Sequence, residues 1–412
     1  MLKTALFLLL VNFALAGSCA ARWKFDFGQA SSGTDSIRVS STNIYSEKVG
    51  FGFEPGVKIV ANDRGCSSEI PFSFSVAVPE GSYNVTVTLG NPSGEAVTTV
   101  KAESRRLMLE NIHTAAGQFS SRTFTVNIRS PQITTGNRVK LKSRELGPPL
   151  VSDWDDKLTL EFNGTHPSLC SIEISNVTNA VTIFLAGDST VTDQPREPWN
   201  SWGQMLPRFF KPGLAIANHS ESGESLPSFL GEKRFEKIMI TIKPGDYLFI
   251  QFGHNDQKDK RPNAGPFTTY KTNLLYFIAE TRKRGGNPVL VTPMERKTGV
   301  TSDTLVDFPA AVRQVAKETD VPLIDLHGMS KKFYAALGTN LNQAFQDGTH
   351  HNNYGSYELA KCVIEEISSN HLPLAKFLGD DVSPFDPNHP DSFVDFRIPA
   401  SPMHDPEKPE GN

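Results

Sequence analysis

Cysteine is scarce in this chain: there are four in 412 residues, at positions 19, 66, 170 and 362. No cysteine or histidine cluster has metal-ligand spacing, so a structural zinc site is not what organises the fold. Charge of one sign is lacking too. Acidic residues number 45 against 41 basic ones, a net charge of -4, which excludes a protein that grips nucleic acid by bulk positive charge. After the first 16 residues no apolar run approaches the ~20 residues of a membrane helix. Internal repeats and blocks of like charge are also missing. What remains is 38% hydrophobic and 21% charged, with 31 Gly and 28 Pro, a profile that fits a turn-rich globular protein and no disordered or collagenous one.

The N-terminus points to export. Lys3 precedes an apolar run at residues 4–15, and the small residues Ala16-Gly17-Ser18-Cys19-Ala20-Ala21 follow. This order describes a secretory signal peptide over residues 1–21 and predicts a secreted, periplasmic or cell-surface protein with no membrane segment in its mature form. Lipidation of Cys19 is an alternative whose spacing is one residue off, since Leu15 lies four residues before it. Without the leader, Cys66, Cys170 and Cys362 remain, an odd number that permits one disulfide. A Cys66–Cys170 bridge and unpaired core thiols are both open.

The chain then divides by style. Residues 22–178 carry short period-2 segments (72–78, 83–89, 122–128, 138–141, 158–162 and 169–174) joined by Gly, Pro, Asn and Ser turns, which predicts a β-sandwich. Residues 179–378 alternate fully apolar runs (181–186, 214–217, 247–252, 288–292 and 322–326) with helical periodicity at 202–210, 269–284, 308–319 and 355–372. That alternation predicts an α/β unit with a parallel sheet covered on both faces. Residues 379–412 are rich in Pro, Asp and Asn and read as an extended tail, with Phe393, Val394 and Phe396 as docking groups.

The chemistry sits where an α/β protein would place it, beyond the carboxyl ends of the strands. The first run ends in Gly187-Asp188-Ser189-Thr190, where a serine entering a turn exposes its hydroxyl and offers its own N–H to an oxyanion. The second leads to Ser222-Gly223-Glu224-Ser225, in which the glycine lets a backbone amide approach a ligand. The third ends in Gly253-His254-Asn255-Asp256, and Asn255 supplies a neutral side-chain donor. Asp347-Gly348-Thr349-His350-His351 pairs a carboxylate with a base three residues on, with His351 as the competing base.

As a set these blocks resemble the SGNH hydrolase superfamily of GDSL-type esterases. Gly187-Asp188-Ser189-Thr190-Val191, Trp199-Asn200-Ser201-Trp202-Gly203 and Gln251-Phe252-Gly253-His254-Asn255-Asp256 are similar to the rhamnogalacturonan acetylesterase family within it. Arg22-Trp23-Lys24-Phe25-Asp26-Phe27-Gly28 and Gly50-Phe51-Gly52-Phe53-Glu54 resemble the galactose-binding-like module that often precedes it. The resemblance implies a flavodoxin-like three-layer fold, Ser189 as nucleophile, His350 as base and Asp347 as its orienting carboxylate. It further implies oxyanion donors at Ser189, Gly223 and Asn255, no cofactor and no metal. His254 and Trp202 become candidate substrate contacts. One block departs from the family, where Gly-Gly-Arg-Ser is common and this chain has the acidic Glu224.

The implied activity is removal of O-acetyl groups from plant cell-wall polysaccharide, rhamnogalacturonan first and acetylxylan second. Polar loops at 192–200 and 257–263 favour a small acyl group on a sugar over a lysophospholipase or thioesterase substrate. A non-catalytic carbohydrate-binding protein is the reading from another class. Lys258, Lys260, Arg261 and Arg296 are the cations expected to meet galacturonate carboxylates. Asn218-His219-Ser220 is an N-glycosylation sequon beside the site, and a glycan there would obstruct it; further sequons begin at Asn84, Asn163 and Asn176. Oligomeric state is not encoded in any pattern here.

Overall fold

The computed structural model describes residues 22–29 and 35–412, so the leader, its cleavage point and Cys19 lie outside the described residues. In the first half, two five-stranded sheets pack face to face. One runs in the order Ser120–Ile128, Gly81–Leu89, Ser171–Asn176, Arg22–Asp26 and Ile37–Arg38, antiparallel except for the last pair. The other runs Phe51–Phe53, Phe72–Ala77, Lys157–Thr165, Ala96–Ala102 and Arg106–Thr114. Alternation drives this: Tyr83, Val85, Val87 and Leu89 all point inward and are buried, while Asn84, Thr86 and Thr88 are half-exposed. Phe25, Phe27, Phe53 and Phe74 meet largely edge-on at the centre, a geometry that suits the ring quadrupoles.

Cys66, Cys170 and Cys362 are free and buried. Cys66 is in register with Leu169, so the next residue, Cys170, is not its cross-strand partner, and the two thiols are not joined. Instead the Cys170 thiol donates to Gly90 O at 3.4 Å. The segment 138–141 is a strand only at Asn137–Arg138.

The second half holds five parallel strands, β1 (Val181–Gly187), β2 (Leu214–Asn218), β3 (Tyr247–Gln251), β4 (Asn287–Val291) and β5 (Leu323–Ile324), in the order β2-β1-β3-β4-β5. Apolar residues on both faces are buried because helices cover both sides. The helices are α1 (Trp202–Met205), α2 (Leu226–Gly231), α3 (Arg234–Thr241), α4 (Lys271–Lys283), α5 (Phe308–Thr319), α6 (Leu326–Leu337) and α7 (Asn353–Ser369). The helix expected over 202–210 is shorter. After α1 the chain tightens into a 3₁₀ turn, Leu206–Phe209, where Pro207 lacks the N–H an α-helix would use.

The two halves share polar and apolar contacts. Leu107 belongs to the core of the α/β half. Arg106 is 1% exposed and bridges Asp153 and Asp193 at 3.0 and 2.8 Å. The tail docks as well, through Phe385, Ile398 and the ring of Phe396 on Tyr354 and Tyr357. Of the expected anchors, Phe393 reaches Tyr354 with its ring edge, but Val394 is 74% exposed and anchors nothing. Buried Lys101 then ties the tail to the sandwich through Pro399 O and Ser401 Oγ, both at 2.7 Å.

Candidate active site

The strand order reverses between β1 and β3, where the connections leaving the two strands run in opposite directions, the switch point at which α/β sheets gather ligands. Ser189 follows β1 at this point. Gly187 has no room for a side chain, since a Cβ there would lie 2.6 Å from Val191 Cγ2. Asp188, fully buried, accepts from Thr190 N at 2.9 Å and Thr190 Oγ1 at 2.7 Å, which holds the turn that presents Ser189. Gln194 Nε2 donates to Ser189 O at 2.7 Å.

Ser189 Oγ lies 2.8 Å from His350 Nε2, and His350 Nδ1 lies 2.9 Å from Asp347 Oδ2. Asp347 also accepts from the backbone N–H groups of Thr349 and His350. Burial alone would raise this carboxyl, yet the hydrogen bond and charge of His350 hold it well below the carboxylate range. An ionised Asp347 accepts the hydrogen bond from His350 Nδ1–H, which fixes the tautomer that leaves Nε2 free to accept from Ser189. Burial pushes His350 below its ordinary value of 6.5, with Asp347 opposing and Lys408 reinforcing the shift. His351 is held apart, stacked on Tyr334 and hydrogen-bonded to its hydroxyl at 3.0 Å.

The β2 loop brings Gly223 in with φ +81, a left-handed backbone that favours glycine. Among the described residues, neither the Gly223 N–H nor the Ser189 N–H donates to a protein acceptor. Asn255 Nδ2 donates to Glu224 O at 2.9 Å, which leaves its second hydrogen for a ligand. Asp256 is a cap for a distant helix, accepting from Leu226 N at the start of α2 and from Gly253 N. Glu224 faces away from solvent and pairs with Lys142.

Several expected contacts are placed otherwise. Trp202 is no sugar platform: it is 1% exposed in the core, with its indole N–H on Gln251 Oε1 at 2.8 Å. His254 is buried with Nδ1 facing Asp188 and Nε2 facing Met294 O, so it braces the turn that carries Ser189. Among the cations, Arg261 pairs with Asp259, while Lys258, on Asn255 Oδ1 at 2.7 Å, and Lys260, on Gln257 O at 3.3 Å, remain exposed. Arg296 is half-buried against His254 O and Thr304. Asn218 is 1% exposed and donates its amide to Val191 O and Asp193 Oδ1, so this sequon residue is an internal brace and carries no glycan in the folded chain.

Sequence patterns did not reveal Lys142, Arg144 or the tail as parts of this site. Asn412 bridges Ser222 Oγ and Gln194, and Lys408 Nζ lies 3.1 Å from Asp347 Oδ2. Beside them a cavity of about 320 Å³ is lined by Arg144, Thr192, Arg196, Ser222, Glu407 and Glu410, among others. The one acid–histidine group of metal-binding compactness among the described residues is Glu295, Asp303 and His327, and its members are already held by Thr304, Arg296 N and Lys331.

A serine–histidine–carboxylate relay at an α/β switch point, with the Ser189 and Gly223 amides unclaimed by protein acceptors among the described residues, is the arrangement of an ester hydrolase. Residues 185–356 match the GDSL-like lipase/acylhydrolase family, and residues 23–135 match a galactose-binding domain-like family of β-agarases and YXIM esterases. Rhamnogalacturonan acetylesterase RhgT of Bacillus subtilis is 38% identical over 220 residues, 48% of this chain and 94% of that protein. The uncharacterized esterase YxiM of the same organism is 27% identical over 372 residues, covering 84% of this chain and 90% of its own. The crystal structure of YxiM aligns at 25% identity over 86% of this chain and 99% of that one, with a TM-score of 0.46. The chain belongs to the GDSL-like lipase/acylhydrolase family, as an esterase preceded by a galactose-binding-like domain.

Proposed function

We propose that this protein is an exported carbohydrate esterase that removes O-acetyl groups from plant cell-wall polysaccharide, rhamnogalacturonan above others, through an acyl-enzyme on Ser189. The observation that carries the reading is the unbroken relay from Ser189 Oγ through His350 to Asp347. Ser189 Oγ attacks the acetyl carbonyl carbon while its proton passes to His350 Nε2. The carbonyl oxygen becomes an oxyanion met by the amides of Ser189 and Gly223 and by Asn255 Nδ2. Collapse expels the sugar oxygen, which takes the proton from His350, and acetyl-Ser189 remains. Water then repeats the attack, giving its proton to His350 and releasing acetate and free Ser189.

Support for the sugar comes from the relative named rhamnogalacturonan acetylesterase, which this chain matches over nearly that protein's full length. The exposed cations Lys258 and Lys260 on the β3 loop suit a polymer bearing carboxylates. Export rests on the leader-like residues 1–21; no helix among the described residues is long and apolar enough to cross a membrane. Acetate release from rhamnogalacturonan, homogalacturonan, xylan and an aryl acetate, at low and high salt, tests the reading. The pectic polymer is expected to lead by a margin that shrinks with salt. Ser189→Ala should remove all turnover while leaving the melting temperature near wild type. Equal rates on neutral xylan defeat the pectin assignment, and an active Ser189→Ala variant defeats the mechanism.

A further inference from the structure

The loop carrying Gly223 is gripped by side chains from the opposite half of the molecule. Ser222 O accepts from Lys142 Nζ at 2.8 Å and from Arg144 Nη2 at 2.6 Å. Arg144 also forks onto Glu221 Oε1 through Nε at 2.9 Å and Nη2 at 2.7 Å, and the same oxygen accepts from Ser222 N at 2.8 Å. Lys142 pairs with fully buried Glu224, whose other oxygen accepts from Ser228 Oγ at 2.6 Å. The base of the grip is itself fixed, since Glu145 accepts from Lys142 N and from Trp154 Nε1 and pairs with buried Arg234.

A peptide unit is planar and trans, so the Ser222 carbonyl and the Gly223 N–H form one rigid plate and point in opposite directions. Two cationic donors on the oxygen therefore set the direction of the amide. They also draw electron density toward the oxygen, which strengthens the N–H as a donor. Without them, a glycine at φ +81 leaves the plate free to swing. The amide so aimed is one of the two that lack a protein acceptor among the described residues.

We propose that Lys142 and Arg144 are positioning residues for the oxyanion hole, through which the β-rich domain aims the Gly223 amide at the reacting ester. The inference rests on the acyl-transfer reading of this same site. It also gives the acidic residue of the Ser222-Gly223-Glu224-Ser225 block a purpose, as the buried anchor for Lys142.

Full-length Lys142→Met, Arg144→Met, Lys142→Arg and Arg144→Lys are compared with wild type, Asn255→Ala and Ser189→Ala. Readouts are kcat and KM on an aryl acetate, the rate of inactivation by a serine-directed phosphonate, and thermal melting. The Met variants should lose ~10–100-fold in kcat with KM within about 2-fold, and phosphonate inactivation, whose tetrahedral adduct also fills the hole, should slow in parallel. Lys142→Arg should recover most of the loss. If a Met variant does not fold, Arg144→Lys, which keeps the charge but loses the fork, makes the same comparison. An unchanged kcat beside a crippled Asn255→Ala overturns the proposal alone, as does a loss confined to KM or to melting temperature. Full turnover in Ser189→Ala overturns the underlying reading instead.

Discussion

In the proposed relay His350 accepts the Ser189 proton only when its Nε2 is unprotonated, so its protonation is expected to set the acid limb of the rate. Burial disfavours the imidazolium, Asp347 favours it and Lys408 disfavours it, with a net shift below 6.5. The limb in kcat/KM on an aryl acetate is thus expected below pH 6.5. Lys408, 49% exposed, places its ammonium 3.1 Å from Asp347, where it competes for that carboxylate's charge. Lys408→Ala removes a positive charge, makes imidazolium easier to form and moves the limb to higher pH. Because the lysine is half in solvent, the displacement should shrink with added salt. A limb that moves to lower pH, measured across pH 4–8, would count against Lys408 acting on His350.

The segment from β1 to α1 shows how an element holds the Ser189 turn. Ser201 caps α1 through Gln204 N and donates its own hydroxyl to Thr192 O at 2.6 Å, which pins the start of the helix to the Ser189 loop. Contact is so close that a Cβ on Gly203 would lie 2.2 Å from Val191 O, a backbone atom that cannot step aside. Gly203→Ala should therefore cost about 1–3 kcal/mol in urea denaturation and lower kcat together with it. A variant as stable and as active as wild type would show that the loop tolerates displacement. Part of this was legible beforehand, since a serine at the end of an apolar run reads as entering a turn before a helix. The side on which Trp202 would fall was not, because an aromatic there reads equally well as sugar platform or as core.

At the scale of the molecule, the two halves are joined through buried charge. Arg106 satisfies Asp153, Asp193 and Asn127 O at once, all shielded from water. Burial raises Asp193 to about 6 despite the guanidinium beside it, so the carboxylate depends on that partner. Arg106→Met would leave two buried acids without their cation and should cost about 3–5 kcal/mol. Urea unfolding followed by circular dichroism is the check, with the midpoint falling sharply. A change within about 0.5 kcal/mol would mean that water or Arg129 replaces the lost charge.

Ser189 and the Asp347–His350 pair were readable from the chain as candidates because each depends on neighbours a few residues away, whereas the order β2-β1-β3 pairs strands far apart in sequence. An apolar run marks a strand, a turn follows it, and a carboxylate three residues before a histidine reaches it within one loop. Strands Ala96–Ala102 and Arg106–Thr114 escaped the same reading: the first is buried on both faces and the pair is broken by bulges, so no alternation shows. Helices α2 and α3 carried too short a period to be read, and Pro227 and Gly231 fall inside the first of them. Lys142 and Arg144 meet Ser222 across 80 and 78 residues, and Lys101 meets Ser401 across 300. Pairings at such separations follow from sheet order and from how one half docks on the other. The candidate acyl-transfer groups are written into the chain as short local motifs, but the cations that hold the Ser222 carbonyl beside them were settled only by folding, since local propensity carries no information about partners brought together by packing.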